Sequence, residues 1–358
     1  MTIVDIISSK RIIVVLGAGG VGKTTSSAAL AVSAAQLGKK VALLSIDPAK
    51  RLADAMGIKL GSDLCRVDLG SQCRGELHAA MLDQAAVFDA MVKRFASPSA
   101  QAKIFQNSVY KQVSCNLGGP LEYMALAKLS EIVDDDFDTI ILDTPPDVHA
   151  LDFLRRPNIL SGFTEAGVMR FLIKPFFLAQ RLGVGRLLTF GEKLMGGIAA
   201  VTGVGILEKV AEFFVLMDDV IKGFQGSGSK VQTHLKSAST AFGIISSPFP
   251  SSMRACDKIL KELAADSFPL GFVILNRVPK VYGIDDSSIT SGVPPVSYWL
   301  KSLEEKRLLG ERSRALLENQ LKAHQFSGVK ISTIEESSEV IADLSGIRVF
   351  SRSLGFEY

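Results

Sequence analysis

Residues Gly17-Ala18-Gly19-Gly20-Val21-Gly22-Lys23-Thr24 constrain this chain more than any other stretch. The run before them, Arg11-Ile12-Ile13-Val14-Val15-Leu16, is short, apolar and β-branched, the pattern of a buried parallel strand. The run after them, Thr25 to Ala35, is rich in alanine and free of Gly and Pro, which predicts a helix. A glycine-rich turn between a strand and a helix is the setting of a phosphate-binding loop. Glycines let consecutive backbone N–H groups turn inward toward phosphate oxygens, and the helix N-terminus adds partial positive charge. In such a loop Lys23 reaches the β- and γ-phosphates, and the Thr24 hydroxyl can ligate Mg²⁺. A Lys-Thr pair has no role in a dinucleotide fingerprint, which sets that alternative aside.

A chain of 358 residues has room for one large α/β domain, or for a domain that carries an insertion. Its net charge of only +3 argues against broad, charge-driven binding of nucleic acid, and no nucleic-acid partner is expected. Cys65, Cys73, Cys115 and Cys256 form no C-x-x-C pair. Free thiols in a reducing compartment are therefore expected rather than a structural zinc site. Met1 to Lys10 lacks a basic segment followed by an apolar run, so no signal peptide is expected. No uninterrupted apolar stretch reaches the ~18 residues of a membrane span. The expected location is cytoplasmic, with peripheral association with a membrane left open.

Downstream, Gly38 is a candidate helix C-cap, and Lys39 and Lys40 suit the negative end of that helix. Val41 to Ile46 reads as the second strand and delivers Asp47-Pro48-Ala49. A carboxylate at the carboxyl end of a strand can face a γ-phosphate. It can equally cap the next helix, and position alone does not choose. Arg66 to Leu69 reads as a short strand, and Glu76 to Ala96 and Leu121 to Ile132 as helices. Phe137 to Leu142 is an apolar strand ending in Asp143. A strand that delivers an Asp beside a phosphate loop is the Walker B arrangement, which holds Mg²⁺ directly or through water. His149 follows closely; a packed loop histidine is its simpler reading.

From about 155 to 235 the character changes to a helical insertion. Val168 to Leu178 and Leu194 to Val204 are largely apolar. Ile206, Leu207, Val210, Phe213, Phe214, Met217, Val220, Ile221 and Phe224 then recur at three- and four-residue steps. Two readings stand: the stripes pack on one another, or part of this surface is a groove for a hydrophobic client or a membrane surface. Gly223 to Lys230 reads as a flexible return. Ala241 to Ser246 and Leu270 to Leu275 are strands, the latter ending at Asn276, whose amide can read a purine edge or close a turn. Trp299 to His324 reads as a charged helix, Val329 to Ser332 as a last strand, and Glu335 to Leu354 as a last helix. The alternation predicts an α/β fold with a doubly wound, mainly parallel sheet. Residues 1–154 and 236–358 would form that domain, and 155–235 the insertion.

Together, several segments resemble the arsenite-pump ATPase family, which includes the ATPases that target tail-anchored membrane proteins. They are the phosphate loop, Asp47-Pro48-Ala49 with Leu52 and Asp54-Ala55, Asp143-Thr144-Pro145-Pro146 with His149 and Phe153-Leu154, and the strand ending in Asn276. The resemblance covers most of the chain in order and is loosest between about 155 and 235. It implies a dimeric P-loop ATPase that uses ATP and Mg²⁺. It implies that Gly19, Gly20, Val21, Gly22, Lys23, Thr24 and Thr25 surround the phosphates, that Asp47 positions or activates the attacking water, and that Asp143 joins Thr24 at Mg²⁺. Asn276 would read adenine, with Thr333 to Ser338 as the other wall. The implied partner is a second copy or a paralogous ATPase, and the insertion would handle a hydrophobic client or membrane-associated protein. Two alternatives remain: an ATPase subunit that drives anion or metalloid transport, and an ATP-bound scaffold with little hydrolysis. Departures are equally specific. Ala18 stands where the family carries a second lysine, so slow or partner-dependent turnover is expected. Lys50 replaces a histidine, Asp147-Val148 replaces Thr-Gly, the zinc-binding C-x-x-C of the eukaryotic targeting members is absent, and Cys115 does not clearly match a metalloid-binding cysteine.

Overall fold

The computed structural model describes residues 1–47, 49, 51–112, 121–145, 212–213, 215–280, 296–337 and 341–356. Readings that rest on Pro48, Lys50, Cys115, Pro146 to His149, Phe153-Leu154 and the apolar runs at 168–178 and 194–204 lie outside the described residues. The chain divides into two compact units, one of residues 1–82, 132–151 and 233–358 and one of residues 83–131 and 152–232.

The first unit holds a sheet of strands β1 (Ile12–Gly17), β2 (Lys40–Ser45), β3 (Cys65–Val67), β4 (Glu76–Met81), β5 (Thr139–Asp143), β6 (Thr240–Ser246), β7 (Leu270–Val278) and β8 (Lys330–Glu335). Their order is β3-β4-β2-β5-β1-β6-β7-β8. Every neighbouring pair is parallel except β3 with β4. The chain leaves β1 in one direction to reach β2 and later continues in the other direction through β6. The carboxyl end of β1 therefore lies at the switch point where ligands gather in open α/β sheets. Register brings three neighbours level there, with Asp143 opposite both Val15 of β1 and Ser45 of β2.

Helices in chain order are α1 (Ile3–Ser9), α2 (Lys23–Gln36), α3 (Arg51–Met56), α4 (Gln84–Phe95), α5 (Pro98–Gln106), α6 (Ser108–Gln112), α7 (Leu121–Val133), α8 (Asp218–Lys236), α9 (Pro250–Ala265), α10 (Val296–Ala323) and α11 (Leu344–Ser353). Alternate strand residues face opposite ways, so both faces of the sheet must be covered. Ile13 and Val15 join a core with α1, α2, α3 and α11, while Ile12, Val14 and Leu16 are equally buried on the other face. There α9 packs against β1 and β6, and α10 against α9, β7 and β8. Beyond Lys23 in its first turn, the buried positions of helix α2 are alanines, serines, Leu30 and Val32, small enough for close approach to the sheet. Each fully buried Leu or Ile contributes about 2 kcal/mol.

Several local expectations change. Glu76 to Met81 is not the start of a helix but strand β4, paired parallel with β2 from Lys40–Glu76 to Ser45–Met81. Its alanines favour a helix locally, but the ladder and the burial of Leu77, Ala79 and Ala80 prevail. The predicted last helix is shorter: β8 runs past Ser332 and includes Glu335, and α11 begins only after Asp343, which caps it by accepting from Gly346 N. The Lys39 backbone N–H closes the end of α2 by donating to Ala34 O, but its side chain turns elsewhere. Its ammonium donates to Ile7 O at 2.7 Å and Ser8 O at 2.9 Å, closing the carboxyl end of α1, and to Thr139 Oγ1 at 3.1 Å.

In the second unit, Tyr110 of α6 stacks on Phe88 with centroids 5.4 Å apart, meets Phe105 edge-on at 5.5 Å, and lies 6.5 Å from Phe213. Its hydroxyl donates to Asp89, and burial holds its pKa well above the usual tyrosine range. Gly223 to Lys230 is helical, inside α8, not a flexible return. Within this unit Val220, Phe224 and Val231 are buried at helical spacing, and Leu235 continues the spacing where α8 passes into the first unit. Burial of these side chains outweighs the ~1 kcal/mol that each glycine costs a helix. A side chain at Gly223 would collide with the Phe95 ring of α4.

Candidate functional site at the switch point

A cavity of about 740 Å³ opens at the carboxyl ends of the strands in the first unit. The phosphate-loop candidate forms one wall with Gly19, Gly20, Gly22, Lys23, Thr24 and Thr25. At two positions the loop leaves no room for a side chain. Gly22, the N-cap of α2, has φ +94°, and a Cβ there would collide with the Asn276 amide. Gly17 has φ +151°, and a Cβ would strike the carbonyl oxygen of Ile245 on β6. Helix α2 starts with no side-chain cap, so its first N–H groups are presented at the cavity wall.

Beneath the loop lies Asp143 at the end of β5, fully buried and not itself lining the cavity. Thr24 Oγ1 and Ser45 Oγ each donate to its Oδ2 at 2.9 Å, and Ser27 Oγ donates to Oδ1 at 3.4 Å. Burial raises its pKa to about 6, against the hydroxyl bonds from Ser45 and Thr24 and the nearby Lys23 charge. Lys23 is also buried, and desolvation lowers its pKa to about 8, although Asp143 and Asp47 pull it up. Its Nζ donates to Ala18 O at 2.9 Å. Thr144, next after Asp143, donates its hydroxyl to Val15 O at 2.7 Å and ties the two strand ends together.

Asp47 extends from β2 into the same cavity. Its Oδ1 accepts from Ala49 N at 3.0 Å, a local turn rather than a helix cap, and its Oδ2 pairs with Arg51 Nη1 at 3.0 Å. On the far side Asn276 is not at a strand end; β7 continues to Val278. Its Nδ2 donates to Val21 O at 2.8 Å, so Val21, buried and not itself lining the cavity, is tied to Asn276 through its backbone. Arg277 follows at φ +59° and donates from Nη1 to Gly20 O at 3.0 Å, with Nε 3.8 Å from Glu336. Glu335, Glu336 and Ser337 complete that wall together with Phe350. Thr333 does not line it, and Ser338 lies outside the described residues.

The structure brings Gly19, Gly20, Gly22, Lys23, Thr24, Thr25, Asp47 and Asn276 around one cavity, with Asp143 bonded to Thr24 and Val21 bonded to Asn276 behind its walls. It adds Ser27, Ser45, Arg51 and Arg277, which sequence reasoning missed. Ser45 had one available signal, a hydroxyl closing an otherwise apolar strand. Arg51 had another, its i,i+4 spacing from Asp47.

The donor set suits Mg²⁺: a hydroxyl and a carboxylate, both hard oxygen donors, joined by a hydrogen bond. The buried Asp143 carboxylate is the group that a cation would stabilise. Among the described residues no three His, Cys, Asp or Glu side chains form a metal cluster. Mg²⁺ needs none, since it uses one or two protein oxygens and completes its shell with water and phosphates.

The family profile of the anion-transporting ATPases matches residues 10–280 of the chain. The chain is 34% identical over 154 residues to ATPase GET3 of Podospora anserina, covering 42% of this chain and 44% of that protein. It is 26% identical over 273 residues to ATPase get3 of Schizosaccharomyces japonicus, covering 76% of this chain and 75% of that protein. With ATPase get3 of Aspergillus terreus the identity is 35% over 156 residues, 42% of this chain and 44% of the relative. Two of these three matches therefore span less than half the length of the relative.

Proposed function

Because the chain belongs to the anion-transporting ATPase family, we propose that it binds ATP with Mg²⁺ and hydrolyses it in the cavity at the switch point. The observation that carries this reading is the 2.9 Å bond from Thr24 to the buried Asp143, made beside Lys23 and the uncapped start of α2. Lys23 exchanges Ala18 O for phosphate oxygens, and the N–H groups of the loop hold the β-phosphate. Thr24 and Asp143 hold Mg²⁺, which neutralises charge on the phosphates when bound. Asp47 orients the attacking water. Asn276 and the wall at Glu335 to Ser337 border the base.

The reading extends beyond the site. The working form is a dimer, with itself or with a paralogous ATPase, and the nucleotide state changes how the helical insertion at 155–235 presents apolar surface. That surface takes a hydrophobic client or a membrane-associated partner, in a cytoplasmic protein. Nucleotide-dependent binding of an apolar peptide supports this coupling; identical binding with and without ATP removes it. Among the described residues no helix is long and apolar enough to cross a membrane.

Steady-state hydrolysis of Mg²⁺–ATP by the purified chain, with Asp47→Asn as control, tests the central reading. The expected result is repeated turnover, reduced at least about a hundredfold in the variant. One residue, Ala18, favours a second reading, an ATP-bound scaffold whose missing cation comes from a partner. Tight ATP binding without turnover selects it. Absence of nucleotide binding overturns both.

A further inference from the structure

We propose that Arg51 is a ligand-exchanging arginine: it pairs with Asp47 in the nucleotide-free site and moves to the terminal phosphate when ATP enters, freeing Asp47 to orient water. The inference rests on the ATP-site reading above and assigns a phosphate-binding role to a residue outside the phosphate loop.

The geometry has three parts. First, both carboxylate oxygens of Asp47 are engaged, Oδ1 by Ala49 N and Oδ2 by the Arg51 guanidinium, each at 3.0 Å. The guanidinium occupies one of the acceptor directions that an attacking water would use, so its departure frees Oδ2 for that water. Second, the pair is uneven. The Asp47 side chain is 6% exposed and that of Arg51 56% exposed, so solvent screens the pair and little holds the arginine. Third, Arg51 lines the same cavity as Lys23 and Thr24. Its positive charge is one of the influences that lower the Lys23 pKa, which places the two cations within electrostatic reach. Two cations that share one cavity define a place for concentrated negative charge. Among the described residues Nη1 alone of the guanidinium donors has an acceptor. Guanidinium geometry matches phosphate bidentately, and a terminal phosphoryl group carries more charge than one carboxylate. An ATP γ-phosphate supplies that charge at the far end of the nucleotide; ADP does not.

The test is equilibrium binding of ADP and of the β,γ-imido analogue of ATP, both with Mg²⁺, to the full chain and to Arg51→Ala and Arg51→Lys, with melting temperatures recorded. Wild type should prefer the triphosphate. Arg51→Ala should lose about tenfold in affinity for the triphosphate while ADP changes less than about twofold. Arg51→Lys keeps a point charge and should recover part of the preference. Equal affinity of wild type for the two nucleotides overturns the inference, as does an Arg51→Ala variant that keeps the preference or weakens both nucleotides alike. A wild type that binds neither nucleotide overturns instead the ATP-site reading beneath it.

Discussion

Lys39 and Lys23 serve the two ends of the same sheet, and burial lowers the pKa of both. At the amino end Lys39 spends its three donors on Ile7 O, Ser8 O and Thr139 Oγ1. At the same end Arg11 donates to Val133 O and Asp135 O. That end is a set of charges closed by the chain's own acceptors. At the carboxyl end Lys23 has one acceptor among the described residues, Ala18 O, and faces a cavity shared with Asp47. The same ammonium chemistry thus serves as a staple in one place and as an unfinished coordination shell in the other. Burial alone does not mark a functional charge; the unfilled hydrogen-bonding capacity of the buried group does.

Substituting the two lysines tests the contrast most strongly. Lys23→Met should reduce kcat/KM for ATP at least about a hundredfold while the melting temperature holds or rises. Lys39→Met should leave turnover intact and cost about 2 kcal/mol of stability, read by urea unfolding, because it strands two helix-end carbonyls. The reverse outcome breaks the comparison.

Asp143 sharpens it by pH. In the folded, nucleotide-free chain it keeps its proton up to about pH 6, whereas in the unfolded chain it titrates near the ordinary aspartate value of 3.8. Between those values the native state binds more protons, so this group's stabilisation is present at low pH and is lost as pH rises through 6. The ceiling is about 3 kcal/mol. Comparing unfolding midpoints of wild type and Asp143→Asn from pH 4 to pH 7 should show that slope disappear in the variant. A slope that persists assigns it to other groups.

The smallest effect is expected at Asn276. Its side chain rests on Gly22 and bonds Val21 O. Asn276→Ala should raise KM for ATP about fivefold with kcat unchanged, a loss of about 1 kcal/mol. A fall in kcat of the same size would move Asn276 from holding the nucleotide to acting in the chemical step.

The sequence showed most of this site because its parts are local. The loop, Asp47, Asp143 and Asn276 each sit on or just beyond an apolar run that the parallel sheet buries on both faces. What stayed hidden depends on neighbours distant in sequence. Leu77-His78-Ala79-Ala80-Met81 carries no strand signal, and only pairing with β2 makes it one. The glycines and serines of Gly223 to Lys230 look like a linker, and only the burial of Val220, Phe224 and Val231 at helical spacing reveals a helix. Ser27 and Ser45 look like ordinary small residues until Asp143, about a hundred positions away, takes their hydroxyls.

The phosphate loop is gripped from two strands that follow it late in the chain. Gly17 lies against Ile245 O of β6, and β7 holds Val21 O and Gly20 O through Asn276 and Arg277. The entropy of ordering that loop is therefore lost once, when the chain folds, and on the proposed reading not at each encounter with a nucleotide. A cradle that is already shaped admits its ligands at similar rates. Discrimination among nucleotides then falls to how long each one stays.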